Sequence, residues 1–233
     1  MTTFQRARSE EQREARREAI LETAADMLEQ MPVADVTLNE LARRVGLAKS
    51  NVLRYFESRE AVLLELLERA EDRWLAELPS RLDEQVGADG APAERIERLA
   101  ASLAESLAGE PVLCDLLSVQ AAVLERNVST EVALRHKRAA KRHRTILADL
   151  IRRHLPETGD AAEQLGRHVI LVTGAIGTHA QPAPSVIAAY ESDPEIGAMR
   201  IDFTDYLRTT IATLAAGTLA RDRRTPVRPP RDQ

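Results

Sequence analysis

The sequence predicts an all-α fold on three observations. Glycine is scarce, at 10 in 233 residues, and aromatic residues reach only 3%, which does not suit a turn-rich β protein. Apolar residues recur at spacings of three and four along most of the chain. Capping residues and prolines punctuate those stripes where helices must start and stop. The length allows one large domain or two small ones, at roughly 100–200 residues each.

In chain order, a first helix starts at Ser9, where Ser9-x-x-Gln12 has capping-box form, and carries Ile20, Leu21, Ala24 and Leu28 on one face until Pro32. Thr37-x-x-Glu40 is a second capping box, opening a short helix over about 38–45 that Gly46 stops. A third short helix, about 49–55, follows after Leu47 and Ala48. Ser58 caps a longer helix, with Ala61, Leu63, Leu64 and Leu67 inward, that Pro79 ends. Gly87 to Pro92 reads as a linker, with Pro92 at the first position of the next helix.

Further stripes follow: Ile96, Leu99, Leu103 and Leu107; then Leu113, Leu116, Leu117, Gln120 and Leu124; then Ala139, His143, Ile146, Leu147 and Leu150. Asn127-Val128-Ser129 reads as a turn and helix cap. Asp160 caps a helix over about 161–180 that is apolar nearly all round, with Leu171 and Ala175 opposite Leu165, Val169, Val172 and Ile176, so a second subunit is expected to cover it. Pro182 and Pro184 break it. A final helix, about 201–219, carries Phe203, Leu207, Ile211 and Leu214, and the proline- and arginine-rich tail from Arg221 is expected to be disordered.

Several function classes drop out. The single cysteine, Cys114, rules out an intramolecular disulfide framework and a cysteine-based zinc cluster, and reads as buried and inert. His168 and His179 are too far apart on one helix to chelate an ion, so no metal and no cofactor is expected. No H-E-x-x-H, G-x-S-x-G or glycine-rich phosphate loop occurs, so the chain is not expected to be an enzyme. The N-terminus lacks the apolar run of a signal peptide, and Val169 to Ala180 falls short of the ~18–20 residues of a membrane span. A cytoplasmic location is expected.

The informative segment is Leu41 to Phe56. Two short helices crossing steeply need a small residue at their contact, a left-handed turn residue, and an apolar residue facing inward from the second helix; Ala42, Gly46 and Val52 supply these. With Leu41, Leu47 and Phe56 also inward, Lys49, Ser50, Asn51 and Arg54 are left exposed, groups suited to phosphates and base edges in a major groove. From Arg43 to Arg59 the cations Arg43, Arg44, Lys49, Arg54 and Arg59 face Glu57 alone, in a chain whose net charge is −5. The alternative is a helical pair with a solvated basic face. Arg6 and Arg8 are further candidates, for an adjacent minor groove.

The stretch Gly46-Leu47-Ala48-Lys49-Ser50-Asn51-Val52-Leu53-Arg54-Tyr55-Phe56-Glu57-Ser58-Arg59-Glu60-Ala61-Val62 resembles the TetR/AcrR family of transcriptional regulators, whose pattern runs G-V-S-x-G-x-L-Y-x-x-F-x-S-K-E-x-L. Ala48 stands at the family's capping serine and Leu53 at its first aromatic. The resemblance implies a three-helix helix-turn-helix DNA-binding domain over 9–58, a connecting helix over 59–80, and a larger helical effector-binding and dimerisation domain over 90–220, before the tail of 221–233. It assigns phosphate contacts to Tyr55 and Arg59, and with the exposed groups above the candidate DNA-binding set becomes Thr37, Arg44, Lys49, Ser50, Asn51, Arg54, Tyr55 and Arg59.

The implied function is a homodimeric repressor of double-stranded operator DNA, released by a small lipophilic effector. The rival is a helical ligand-binding or scaffold protein that does not read DNA sequence. Candidate pocket residues are Trp74, Cys114, Leu117, Gln120, His143, Leu147 and Val172, with Gln120 and His143 either polar anchors or satisfied core hydrogen bonds. Gly166, Gly174 and Gly177, with Thr210, Thr213 and Gly217, look like a dimer interface. The basic run from Arg135 to Arg144 reads as a solvated face.

Overall fold

The computed structural model describes residues 3–87 and 89–222, and these are helices and turns without a strand. Helices α1 (Thr3–Gln30), α2 (Leu38–Val45) and α3 (Lys49–Val52) form the N-terminal unit, and α4 (Arg59–Gln85) leaves it. The larger unit continues through α5 (Pro92–Ala108), α6 (Pro111–Val119), a π turn (Gln120–Leu124), α7 (Thr130–His154) and α8 (Ala162–Ala180). Two short helices, α9 (Pro184–Ser192) and α10 (Pro194–Gly197), precede α11 (Phe203–Asp222). Among the described residues no single helix is long and apolar enough to cross a membrane.

The caps explain most boundaries. Thr37 accepts the Glu40 amide at 3.2 Å, Ser58 that of Ala61 at 3.1 Å, and Ser129 that of Val132 at 3.3 Å. Gly46 closes α2 at φ 73°, a left-handed conformation that favours glycine. Pro92 starts α5, with the Glu94 carboxylate reaching back to the Ala91 amide.

Five local expectations need correction. The first helix does not start at Ser9: the chain is already helical at Thr3, because no residue between Thr3 and Ser9 breaks a helix; the side chains of Arg6 and Arg8 lie outside the described residues. The third helix stops at Val52 and gives way to a turn rather than reaching 55. Pro79 does not end α4, which runs on to Gln85: Leu75, Leu78 and Leu82, buried on both sides of the proline, hold the helix across the lost amide. Asp160 does not cap α8, whose N-cap is Ala161. Ile146 is 43% exposed, so the α7 stripe turns away from it. The segment holding α9 and α10 had no stripe to reveal it, since neither helix buries a residue. Residues 223–233 of the tail lie outside the described residues, while Arg221 and Asp222 are helical, in α11.

Helix α11 packs along α5 and α8, while α6 and α7 cover the other flank of α8. The α8 glycines serve this packing rather than a subunit interface. A Cβ on Gly166 would meet Leu147 at 3.5 Å, one on Gly174 the Leu117 carbonyl oxygen at 2.9 Å, and one on Gly177 the Cys114 carbonyl oxygen at 3.7 Å. Gly174→Ala is therefore expected to lower the melting temperature: forcing a methyl against fixed backbone costs about 1–3 kcal/mol, more than the roughly 1 kcal/mol of helix propensity that alanine gains. An unchanged or raised melting temperature would show that α6 and α8 are not in this close contact.

Candidate functional site

The basic unit is built on a small core. Leu41, Ala42, Val52 and Phe56 are buried, and the Leu47 amide donates to the Ala42 carbonyl at 2.9 Å, closing the turn between α2 and α3. This leaves Lys49, Ser50, Asn51 and Arg54 together on one exposed face, with no side-chain hydrogen bond recorded among the described residues. The groove beside that face is lined by Arg13 and Arg16 of α1 as well as Leu47, Asn51, Arg54 and Tyr55. Sequence reasoning missed Arg13 and Arg16. Their signal is weak, since they stand in a mixed-charge run whose geometry only the fold of α1 over α3 reveals.

The other predicted members are tied into the protein. Arg44 donates to Gln30 at 2.8 Å and to Glu40 at 2.9 Å. Glu40 does not reach back to complete its capping box; hydrogen bonds from Arg43 and Arg44 claim its carboxylate and hold its pKa down to about 2. Much of the local positive charge of α2 is thereby compensated. Arg59 donates to the Val33 carbonyl at 2.8 Å. Thr37 is spent on its cap, and Tyr55 is half-buried with its carbonyl accepting from Arg17 at 3.2 Å.

Arg17 fastens this unit to α4. Its guanidinium lies 4.2 Å from the centre of the Phe56 ring and pairs with Glu65 on α4. Burial pushes the Glu65 carboxyl up, against the pull of Arg17 and Arg69. One turn on, Arg69 grips Glu18 through two hydrogen bonds of 2.5 and 2.8 Å, and these hold the Glu18 pKa below its ordinary value. Two further ties run to the larger unit: the Val33 amide donates to Asp115 of α6 at 2.8 Å, and the Ser129 amide, at the start of α7, donates to Glu57.

About 22 Å along α4 from Arg59, at a rise of 1.5 Å per residue, the helix reaches a cavity of about 200 Å³. Glu71, Trp74 and Leu75 line it from α4, Gln120 from the π turn, Ala140, His143 and Leu147 from α7, and Ile170 and Leu171 from α8. Lys137, Arg144 and Arg167 complete the wall. Trp74, Gln120, His143 and Leu147 thus come together as candidates, whereas Cys114, Leu117 and Val172 do not line it. Cys114 faces a separate recess beside Phe203, its thiol donating to the Leu107 carbonyl at 3.2 Å and pushed up to about 12 by burial. Of the basic run read as a solvated face, Lys137 is exposed and stands at the cavity rim, while half-buried Arg144 belongs to the cavity wall.

Both polar anchors are already engaged. Trp74 donates to Ser106 at 3.1 Å, and the Gln120 amide donates to Glu125 at 2.9 Å and meets His136 Nε2 at 2.9 Å. His143 is clasped by carboxylates, Nδ1 donating to Glu71 at 3.0 Å and Nε2 to Asp72 at 2.7 Å, which requires the doubly protonated ring. Burial disfavours that charge, but Glu71 and Asp72 outweigh it and raise the pKa above 6.5.

Comparison with known proteins supplies the family. Residues 68–222 match the model described as tetracyclin repressor-like, C-terminal domain, and residues 20–66 that of bacterial regulatory proteins, tetR family. The HTH-type transcriptional regulator EthR of Mycobacterium tuberculosis is 40% identical over 73 residues, covering 29% of this chain and 34% of that protein. The HTH-type transcriptional regulator RutR of Escherichia coli K12 is 32% identical over 119 residues, 45% of this chain and 54% of that protein. The matched stretches thus span between a third and about half of those relatives. A TetR transcriptional regulator from Rhodococcus sp. RHA1 superposes with a TM-score of 0.56 at 15% identity, covering 90% of this chain and 97% of that one. A possible TetR family regulator from Streptomyces coelicolor A3(2) gives 0.54 at 19% identity, covering 88% and 99%. At such identities the superpositions speak for the fold.

The clasp on His143 gives a pH dependence. A pKa raised on folding stabilises fully below the ordinary value near 6.5, and the stabilisation is lost as pH rises through the folded value. His143→Leu should therefore cost more stability at pH 6 than at pH 9, by about 1.5–3 kcal/mol, because both ring nitrogens donate to Glu71 and Asp72 only in the charged form. Urea melts of both proteins at the two pH values measure it; a penalty independent of pH would refute the charged clasp.

Proposed function

Because the chain belongs to the tetR family of bacterial regulatory proteins, we propose that it is a transcriptional repressor that binds a specific operator as a homodimer and leaves it when a small effector enters the α4–α7–α8 cavity. The observation that carries this reading is the exposed group of Lys49, Ser50 and Asn51 on α3 with Arg54 in the turn after it, on a unit whose inward residues Leu41, Ala42, Val52 and Phe56 are committed to the core. Their chemistry suits base edges, and Arg13, Arg16 and Tyr55 flank them for the phosphates.

Support for the dimer comes from α8 and α11, which lie side by side and present Leu171, 63% exposed, together with Thr213 and Gly217 to solvent. A two-fold pairing there would set recognition helices on groove faces about 34 Å apart. Coupling follows from α4, which bears Arg59 at the recognition unit and Trp74 in the cavity wall. The Val33–Asp115 and Glu57–Ser129 hydrogen bonds supply parallel links, so a shift of α6 or α7 also reaches the recognition unit.

The variants should separate by role. Lys49→Ala and Asn51→Ala are expected to change the preferred sequence, at a cost of about 1–3 kcal/mol for particular base pairs. Arg16→Ala should weaken all sequences alike and flatten the salt dependence by about one unit of slope. Binding-site selection on the full-length protein, followed by affinity titrations over a salt series, measures both. A wild-type motif returned at every position by both base-reading variants would end this assignment, and the absence of any competitor-resistant complex would favour the scaffold reading.

A further inference from the structure

The charges on the cavity wall point to the class of molecule it takes. Glu71 is matched by His143 at 3.0 Å, and Lys137 by Glu125 at 2.7 Å. Arg144 of α7 and Arg167 of α8 also line the cavity, and no hydrogen bond or ion pair is recorded for either among the described residues. The Arg144 Nε is moreover buried without an acceptor. A buried, unsatisfied donor of this kind costs about 1–3 kcal/mol, more when charged, and the natural complement of a guanidinium is a planar carboxylate. Apart from Gln120, whose amide is taken up by Glu125, the remaining wall is apolar, with Trp74, Leu75, Leu147 and Ile170.

We infer that the cavity binds a small apolar carboxylate, its anionic end between Arg144 and Arg167 and its hydrocarbon body against Trp74. This inference rests on the cavity being the effector site. The volume of about 200 Å³ modestly exceeds the roughly 150 Å³ that accommodates benzene in an apolar protein cavity. A ring or short alkyl chain fits, whereas a nucleotide does not. Exposed Arg167 marks the open side, so the carboxylate stays near the rim and the apolar part goes inward. A bare anion such as phosphate would leave the apolar wall uncovered, and a neutral hydrocarbon would leave Arg144 unsatisfied.

Trp74 is the single tryptophan and lines the cavity, which gives a direct readout. Full-length protein is titrated by tryptophan fluorescence with sodium octanoate and 3-phenylpropionate, and in parallel with the neutral octanamide and 3-phenylpropanamide. The carboxylates should saturate the response at least tenfold more tightly than the amides. Arg144→Gln and Arg167→Gln should abolish that preference, while Arg142→Gln, exposed and outside the cavity wall, retains it. Arg167 is itself exposed, so its variant reports even where the Arg144 change impairs folding. Amides binding as tightly as carboxylates, a preference unaffected by both variants, or no saturable response to either acid would overturn the inference. Operator binding, measured separately without ligand, decides the regulatory reading on its own: a protein that binds the acids but no operator keeps the ligand class and loses the repressor.

Discussion

Towards its N-terminus α4 buries Ala61, Val62, Leu63, Leu64 and Leu67, and towards its C-terminus Trp74, Leu75, Leu78 and Leu82, while packing against α1 and against α5, α6 and α7. One continuous helix therefore supplies core to both units. Each buried leucine is worth about 1.5–3 kcal/mol, and close-packed interiors pass on displacements rather than absorb them. The core of the recognition unit, with Ile20, Leu21, Met27, Leu41, Val52 and Phe56, runs on into this helix and takes its orientation from it. Arg17, held between Tyr55, Phe56 and Glu65, and the Glu18–Arg69 pair fix that orientation with directional contacts that apolar packing lacks.

Because the fastening is polar and partly exposed, it is also the part of the assembly that yields most readily. An exposed pair such as Glu18–Arg69 contributes only about 0–1 kcal/mol, whereas the buried face of α4 anchors the helix along its length. On the proposed mechanism, displacement at the cavity end would turn the recognition unit where this fastening yields. The hydrogen bonds from Val33 to Asp115 and from Ser129 to Glu57 restrict that rotation and make the register of α6 and α7 part of it.

Much of this was legible in the sequence. The cap of Thr37 and the left-handed Gly46 announce α2 and its turn, Ser58 announces α4, and the inward residues of α3 imply its exposed ones by subtraction. What was hidden depends on tertiary contact. Pro79 reads as a helix end because the burial that offsets its missing amide lies on other elements. The α8 glycines read as an interface because sequence cannot tell a neighbour in the same chain from a neighbour in another. The cavity was half legible: Gln120, His143 and Leu147 lie on recognisable stripes, but Arg144 disappears into a basic run and only the closure of α7 over α4 and α8 sets it in the wall. Cys114 and Leu117 share an apolar helix with the rest of the core, and no periodicity separates core from cavity wall.

The central claim is mechanical: ligand in the cavity moves the recognition helices through α4. Cys114 is buried, with its thiol pushed up to about 12, so a spin label placed at Glu29→Cys in full-length protein, exposed on α1 and outside the candidate DNA-binding set, labels selectively and reports the distance between recognition units in the proposed dimer. With operator bound, the account predicts a narrow distribution set by the groove spacing of about 34 Å. A compound that releases the operator should move the mean of that distribution away from the operator-bound value. Loss of operator binding with the distance distribution unchanged would contradict the account.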